Sequence, residues 1–175
     1  MEYKPDIYDN NPDNSCRFAL GTSGLKPLYV IGLNPSTADD KKADPTITKV
    51  ARFAEQHGFD SFIMLNLYPK RTPYPDKLDE NLDQELLRQN IIYVLTYTRR
   101  SIEPTFLAAW GGTIQVRPYL KTCLYELVEA TGNDTSMWIK IGNLTKSGHP
   151  RHPSRAPYAF GLTDFDIASY LTMLY

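Results

Sequence analysis

The chain has 175 residues, enough for one compact domain, and at 42% hydrophobic and 22% charged its composition excludes wholesale disorder. Its formal net charge of −1 excludes a surface coated in basic residues, and no apolar run approaches the roughly 18 residues of a membrane helix. Two cysteines, Cys16 and Cys123, are too few for a disulfide scaffold or a four-ligand zinc site. With no signal-peptide layout at the start, they lead us to expect a cytoplasmic protein away from the membrane.

Residues 1–14, rich in Asp, Asn and Pro, read as an irregular lead-in to a single domain spanning 1–175. Cys16–Leu20 and Leu28–Leu33 are predicted strands, the second apolar throughout as a strand buried on both faces should be. A helix is expected from Asp44-Pro45-Thr46, with a capping acceptor followed by proline. Ile47, Val50, Ala51 and Ala54 form its inward stripe and Gly58 ends it. Phe62–Leu65 is a strand, Asp83–Thr98 a helix, Thr105–Trp110 a strand and Pro118–Ala130 a helix. Met137–Ile141 is a strand, and a closing helix spans Thr163–Leu174 with Thr163 as its cap.

Strands alternating with helices of this length imply right-handed crossovers and a mainly parallel sheet covered on both sides, a three-layer α/β/α sandwich. Ligands of such sheets bind beyond the carboxyl ends of the strands, which here selects the loops Asn34–Asp44, Asn66–Leu78, Gly111–Pro118 and Gly142–Pro157.

In the first of these loops Asn34 precedes Pro35, which holds it rigidly. It either orients a polar group or forms a turn with Ser36 or Thr37. In the second, Asn66 ends a strand ahead of Tyr68, Lys70 and Arg71, a pattern that suits either a base edge with a stacking ring or a stiff surface loop with a core tyrosine. Residues 1–98 hold 11 Lys and Arg against 14 Asp and Glu, whereas 140–155 hold Lys140, Lys146, Arg151 and Arg155 with no acid, next to His149 and His152. That local surface can hold phosphate, or it is a solvated loop. The two histidines lie in a proline-broken loop with no third ligand, and Asp39, Asp40 and Asp44 are interleaved with Lys41 and Lys42, so neither group is expected to bind metal. No cofactor motif is present.

Three segments together resemble an uncharacterised bacterial and phage domain-of-unknown-function family: Gly32-Leu33-Asn34-Pro35-Ser36-Thr37-Ala38-Asp39, Ala109-Trp110-Gly111 and Gly148-His149-Pro150-Arg151-His152-Pro153. More distantly, the order of motifs is similar to the uracil-DNA glycosylase superfamily, above all its mismatch-specific uracil/thymine branch. Gly32-Leu33-Asn34-Pro35-Ser36 resembles the motif whose Asn positions the attacking water; Asn66 with Arg71-Thr72-Pro73 resembles the base-reading Asn and the stretch after it; His152-Pro153-Ser154 resembles the motif whose His stabilises the departing base.

The resemblance implies an N-glycosidic hydrolase acting on a base in DNA or on a related nucleotide, with Asn34 and His152 catalytic. Asn66, Tyr68, Trp110, Pro35 and Ser36 would hold the base and sugar, and Lys146, Arg151, Ser154, His149 and Arg155 the phosphates. It also implies an apolar wedge for the DNA stack, with Ala156-Pro157-Tyr158 as the candidate. The competing expectations are a non-catalytic nucleotide or nucleic-acid binding module and an enzyme of small nucleotides.

Overall fold

The computed structural model describes residues 4–132 and 136–175; residues 1–3 of the expected lead-in lie outside the described residues. The chain is an α/β protein with a seven-stranded mixed sheet and four α-helices. The strands are β1 (Ile7–Asn10), β2 (Arg17–Gly21), β3 (Pro27–Gly32), β4 (Ser61–Asn66), β5 (Thr105–Ala108), β6 (Met137–Ile141) and β7 (Leu162–Asp164). The helices are α1 (Pro45–Gln56), α2 (Gln84–Thr98), α3 (Tyr119–Thr131) and α4 (Ile167–Leu174).

In space the strands run β1-β2-β4-β3-β5-β6-β7. The four central strands β4, β3, β5 and β6 are parallel, and antiparallel strands finish both edges. The carboxyl ends of the parallel strands therefore share one edge, and the loops that follow them meet there.

Each helix is held by one apolar stripe. In α1, Ile47, Val50, Phe53 and Ala54 pack with Leu28, Val30, Leu107 and Ile139 in one core cluster. Side chains of α2, α3 and α4, among them Val94, Leu124 and Tyr170, pack with Tyr29, Ile31 and Phe106 in a second. Neighbouring residues of β3 thus feed different clusters, which is why that strand is apolar throughout. Burying Ile47, Val50 and Phe53 contributes roughly 1.5–3 kcal/mol each. Asp44 caps α1 by accepting the Ile47 amide at 2.9 Å.

Two segments depart from expectation by more than two residues. The lead-in contains β1, paired antiparallel with β2. Its sequence, Ile-Tyr-Asp-Asn, joins two strand formers to two residues that disfavour strands, and pairing with β2 carries it, with Ile7 buried. The closing helix begins at Ile167, not at Thr163. Asp166 is its cap, accepting the Ser169 amide at 2.9 Å, and Thr163 lies in β7, paired with β6. Among the described residues no helix is long and apolar enough to cross a membrane.

Candidate functional site

At the carboxyl edge of the parallel strands the chain encloses a cavity of about 420 Å³. Its walls come from all four expected loops together with β2, the ends of β3 and β4, and the first turn of α1. The loop after β3 gives Leu33, Asn34, Ser36 and Asp44; the loop after β4 gives Thr72, Pro73 and Pro75; the turn after β5 gives Gly111, Gly112 and Thr113; the loop after β6 gives Thr145, Arg151, His152, Ser154 and Arg155. Gly32 and Met64 contribute from the ends of β3 and β4, Arg17 from β2, and Thr46 and Ile47 from the first turn of α1.

Asn34 is half-buried and its orientation is fixed. Its Nδ2 donates to the carbonyls of Pro35 (3.1 Å), Lys70 (3.2 Å) and Thr72 (2.9 Å). Three carbonyl acceptors leave no ambiguity about which end of the amide is which, so Oδ1 is the end turned away from them. The side chain thereby ties the loops after β3 and β4 together and keeps an acceptor of settled direction. Pro35 itself is buried, and its carbonyl also receives the Thr72 amide at 2.9 Å.

His152 is likewise oriented by its neighbours. Its Nδ1 accepts from the backbone N–H of Ser154 (3.4 Å) and lies 2.8 Å from the Ser154 hydroxyl. An N–H can only donate, so the neutral ring carries its proton on Nε2. Burial holds the His152 pKa below the usual histidine value; the Asp44 carboxylate opposes this shift and the Arg155 guanidinium adds to it. The result is a neutral imidazole with a single N–H donor. Gly111, at φ +67°, passes close to it, and a Cβ there would lie 3.4 Å from the His152 Cβ.

Asn66 lies just behind the cavity wall. It is fully buried, register partner of Gly32 in β3, and neither end of its amide has a partner among the described residues. A Cβ on Gly32 would come within 2.8 Å of Asn66 Oδ1 and 2.6 Å of Met64 Cε, so the glycine keeps open the approach to this amide. The Asn66 carbonyl is held at 2.8 Å by Nδ2 of Asn90, a buried polar residue of α2.

Several expected site residues do not reach the cavity. Trp110 is fully buried, donates from Nε1 to the Tyr170 hydroxyl at 3.1 Å, and lies among Trp138, Phe165 and Tyr170. Tyr68 is fully buried in the same cluster beside Tyr119, and burial pushes its phenol up to about 12. Neither ring is available to stack on a base, because each follows a strand with its side chain turned into the α2–α4 core.

His149 is buried below the loop. The Tyr170 hydroxyl, which accepts from Trp110, has its proton left for Nδ1 of His149 at 2.8 Å, and burial lowers the His149 pKa. Lys146 is exposed away from the cavity lining, and Lys140 donates to Thr163 and Asp164 of β7. Arg151, Ser154 and Arg155 are the members of the expected phosphate set that line the cavity, and Ser36 lines it from the β3 side. The wedge candidate is also tied down: Ala156 is fully buried, and the Tyr158 ring packs on Phe53 and under Lys49 and Arg52.

The residue that motif reading missed is Arg17. Only 2% exposed, it lines the cavity and donates from Nη1 to the Ala38 carbonyl at 2.7 Å. A lone cation inside the apolar run Cys16–Leu20 was the available signal.

The fold and the position of this cavity define an α/β protein with a preformed cavity at the carboxyl edge of its parallel strands. The chain belongs to the family described as "Protein of unknown function (DUF1643)", whose family model matches residues 17–154 and so takes in every residue lining the cavity except Arg155. No curated protein and no solved structure matches the chain.

Proposed function

We propose that the chain is an N-glycosidic hydrolase that releases a base from a nucleotide or nucleic acid bound in this cavity. The supporting observation is that Asn34 and His152, from loops more than a hundred residues apart, line one cavity with their polar atoms in fixed orientation. The finer fold belongs to the same proposal: α1 on one face of the sheet and α2–α4 on the other form a three-layer arrangement similar to that of uracil-DNA glycosylases.

In this reading Oδ1 of Asn34 accepts a hydrogen bond from a water on the sugar face. The C1′–N bond breaks with its electron pair leaving on the base, the water oxygen bonds to C1′, and the proton that the water gives up ends on the departing base, which leaves neutral. Nε2–H of neutral His152 donates to the negative charge growing on the base, an interaction made mainly in the transition state. Asn66, reached past Gly32, offers both a donor and an acceptor to the base edge.

The test is free-base detection by mass spectrometry after incubation with DNA, nucleotides and nucleosides, each modified and unmodified. Base release is expected to slow roughly 10²–10³-fold in His152→Ala with little change in substrate affinity. Binding without release from any substrate would make the protein a non-catalytic nucleotide or nucleic-acid binding module instead.

A further inference from the structure

Among the described residues Asn66 is the buried amide with both ends unpartnered. Buried polar groups nearly always hydrogen-bond, so such an amide beside a cavity calls for an occupant. Its backbone is not free to shift toward a partner. Nδ2 of Asn90, from α2, donates to the Asn66 carbonyl at 2.8 Å and to that of Leu67 at 3.3 Å, and β4 is paired with β3 along its length.

Asn66 is 0% exposed and does not line the cavity, so a ligand reaches its amide only if a neighbouring side chain moves. Gly32 and Met64 do line the cavity. Met64 lies two residues before Asn66 in β4 and projects from the same face of the strand. A Cβ built on Gly32 would meet Met64 Cε at 2.6 Å and Asn66 Oδ1 at 2.8 Å, ahead of the Leu65 carbonyl oxygen at 3.7 Å. The end of the methionine and the amide therefore meet over the bare glycine. Methionine is unbranched, with three rotatable bonds and an apolar end, so swinging its methyl away breaks no hydrogen bond.

We propose that the Met64 methyl is a gate over Asn66, and that a planar base with a neighbouring hydrogen-bond donor and acceptor swings it aside and pairs with the amide through both. This rests on the base-release reading above and narrows its substrate class. The base must present such an edge, as a lactam or an amidine does; a base with that edge blocked leaves the gate shut. Entry makes two hydrogen bonds to atoms that the closed protein leaves unpaired, and that difference favours the open position only when such an edge is present.

The experiment is NMR and calorimetric titration of the whole chain, labelled at the methyl groups of its four methionines and at its asparagine side chains. The probes are uridine, cytidine, adenosine and inosine, each beside a form with every N–H of its edge methylated, and a single-stranded oligodeoxynucleotide of mixed sequence. An unblocked probe is expected to move the Met64 methyl and the Asn66 NH₂ signals together. Its blocked form binds about ten- to hundredfold more weakly, as loss of a bidentate pair should give. Asn66→Leu abolishes that difference. Met64→Ala, which needs no opening, binds the unblocked probe about tenfold more tightly, the gain for an open state populated at about a tenth. A thermal melt shows whether each variant is folded; where one is not, the two wild-type signals decide.

An Asn66 signal that moves while the Met64 methyl stays overturns the proposal. So do equal affinity for blocked and unblocked forms, a folded Met64→Ala that binds no more tightly, and a panel in which no probe moves either signal. The two readings fail separately. Both signals moving with no free base released ends the hydrolase reading and leaves the gate standing. Free base released as fast by Asn66→Leu as by wild type, with the Met64 methyl unmoved, ends the gate alone.

Discussion

Replacing Asn34 by Asp exchanges its NH₂ for an oxygen that faces the carbonyls of Pro35, Lys70 and Thr72 at the present distances of 2.9–3.2 Å. Two N–H donors serve these three acceptors. Their loss alone, as in Asn34→Ala, costs about 1–3 kcal/mol at 0.5–1.5 kcal/mol per net hydrogen bond. For a chain of 175 residues that is a fall in Tm of about 2–4 °C per kcal/mol. The Asp variant is worse at neutral pH, because a carboxylate set against three carbonyls is repelled as well as unpaired.

The same repulsion supplies a pH signature. Carbonyls disfavour the ionised form, so the introduced carboxyl has a folded-state pKa above its unfolded value near 3.9. Stability is therefore closest to that of Asn34→Ala below pH 4 and falls away as pH rises through the raised pKa. Urea melts of wild type, Asn34→Ala and Asn34→Asp from pH 4 to pH 8 measure this. If Asn34→Asp is as stable as wild type at pH 7, or if its deficit does not grow with pH, the three-carbonyl anchor is not what holds Asn34.

Other outcomes follow from the same geometry. His149 and His152 both have pKa values lowered by burial, so protonation favours the unfolded chain; stability should be full above pH 6.5 and decline as pH falls below it, and urea midpoints that stay flat from pH 8 to pH 5 would contradict this. Gly32→Ala places a methyl 2.6 Å from Met64 Cε and 2.8 Å from Asn66 Oδ1; the flexible methionine can yield, so the cost should sit near the lower end of the 1–3 kcal/mol typical of overpacking, accompanied by a clear loss of ligand affinity in titration. Trp110→Phe removes the hydrogen bond to the Tyr170 hydroxyl and should cost about 1 kcal/mol or more in denaturant melts while leaving ligand affinity unchanged; a loss of affinity without a loss of stability would return Trp110 to the site.

The uninterrupted apolar run of β3, the Asp44-Pro45 start of α1 and the alternation of strands with helices were enough to give the parallel centre of the sheet and the edge where its loops gather. They did so because burial on both faces and helix capping leave local marks, in hydrophobic spacing and in the residue types that satisfy free amides. Local pattern was silent where pairing partners decide. Ile7–Asn10 becomes a strand only because β2 lies beside it, and Leu162–Asp164 only because β6 does.

The site divides in the same way. Proline and hydroxyl neighbours marked Asn34 and His152 as members of rigid polar loops, the motif resemblance singled them out, and both line the cavity. Whether an aromatic or a cation beside such a loop faces ligand or core depends on which side of the sheet it leaves, and one residue of register reverses that. Trp110 and Tyr68 therefore turned into the α2–α4 core, while Arg17, which carries no motif, was brought to the cavity wall by the pairing of β2 with β4. Loop chemistry is written residue by residue along the chain. The direction in which a side chain points is set by contacts between segments far apart in sequence, and only the assembled sheet contains them.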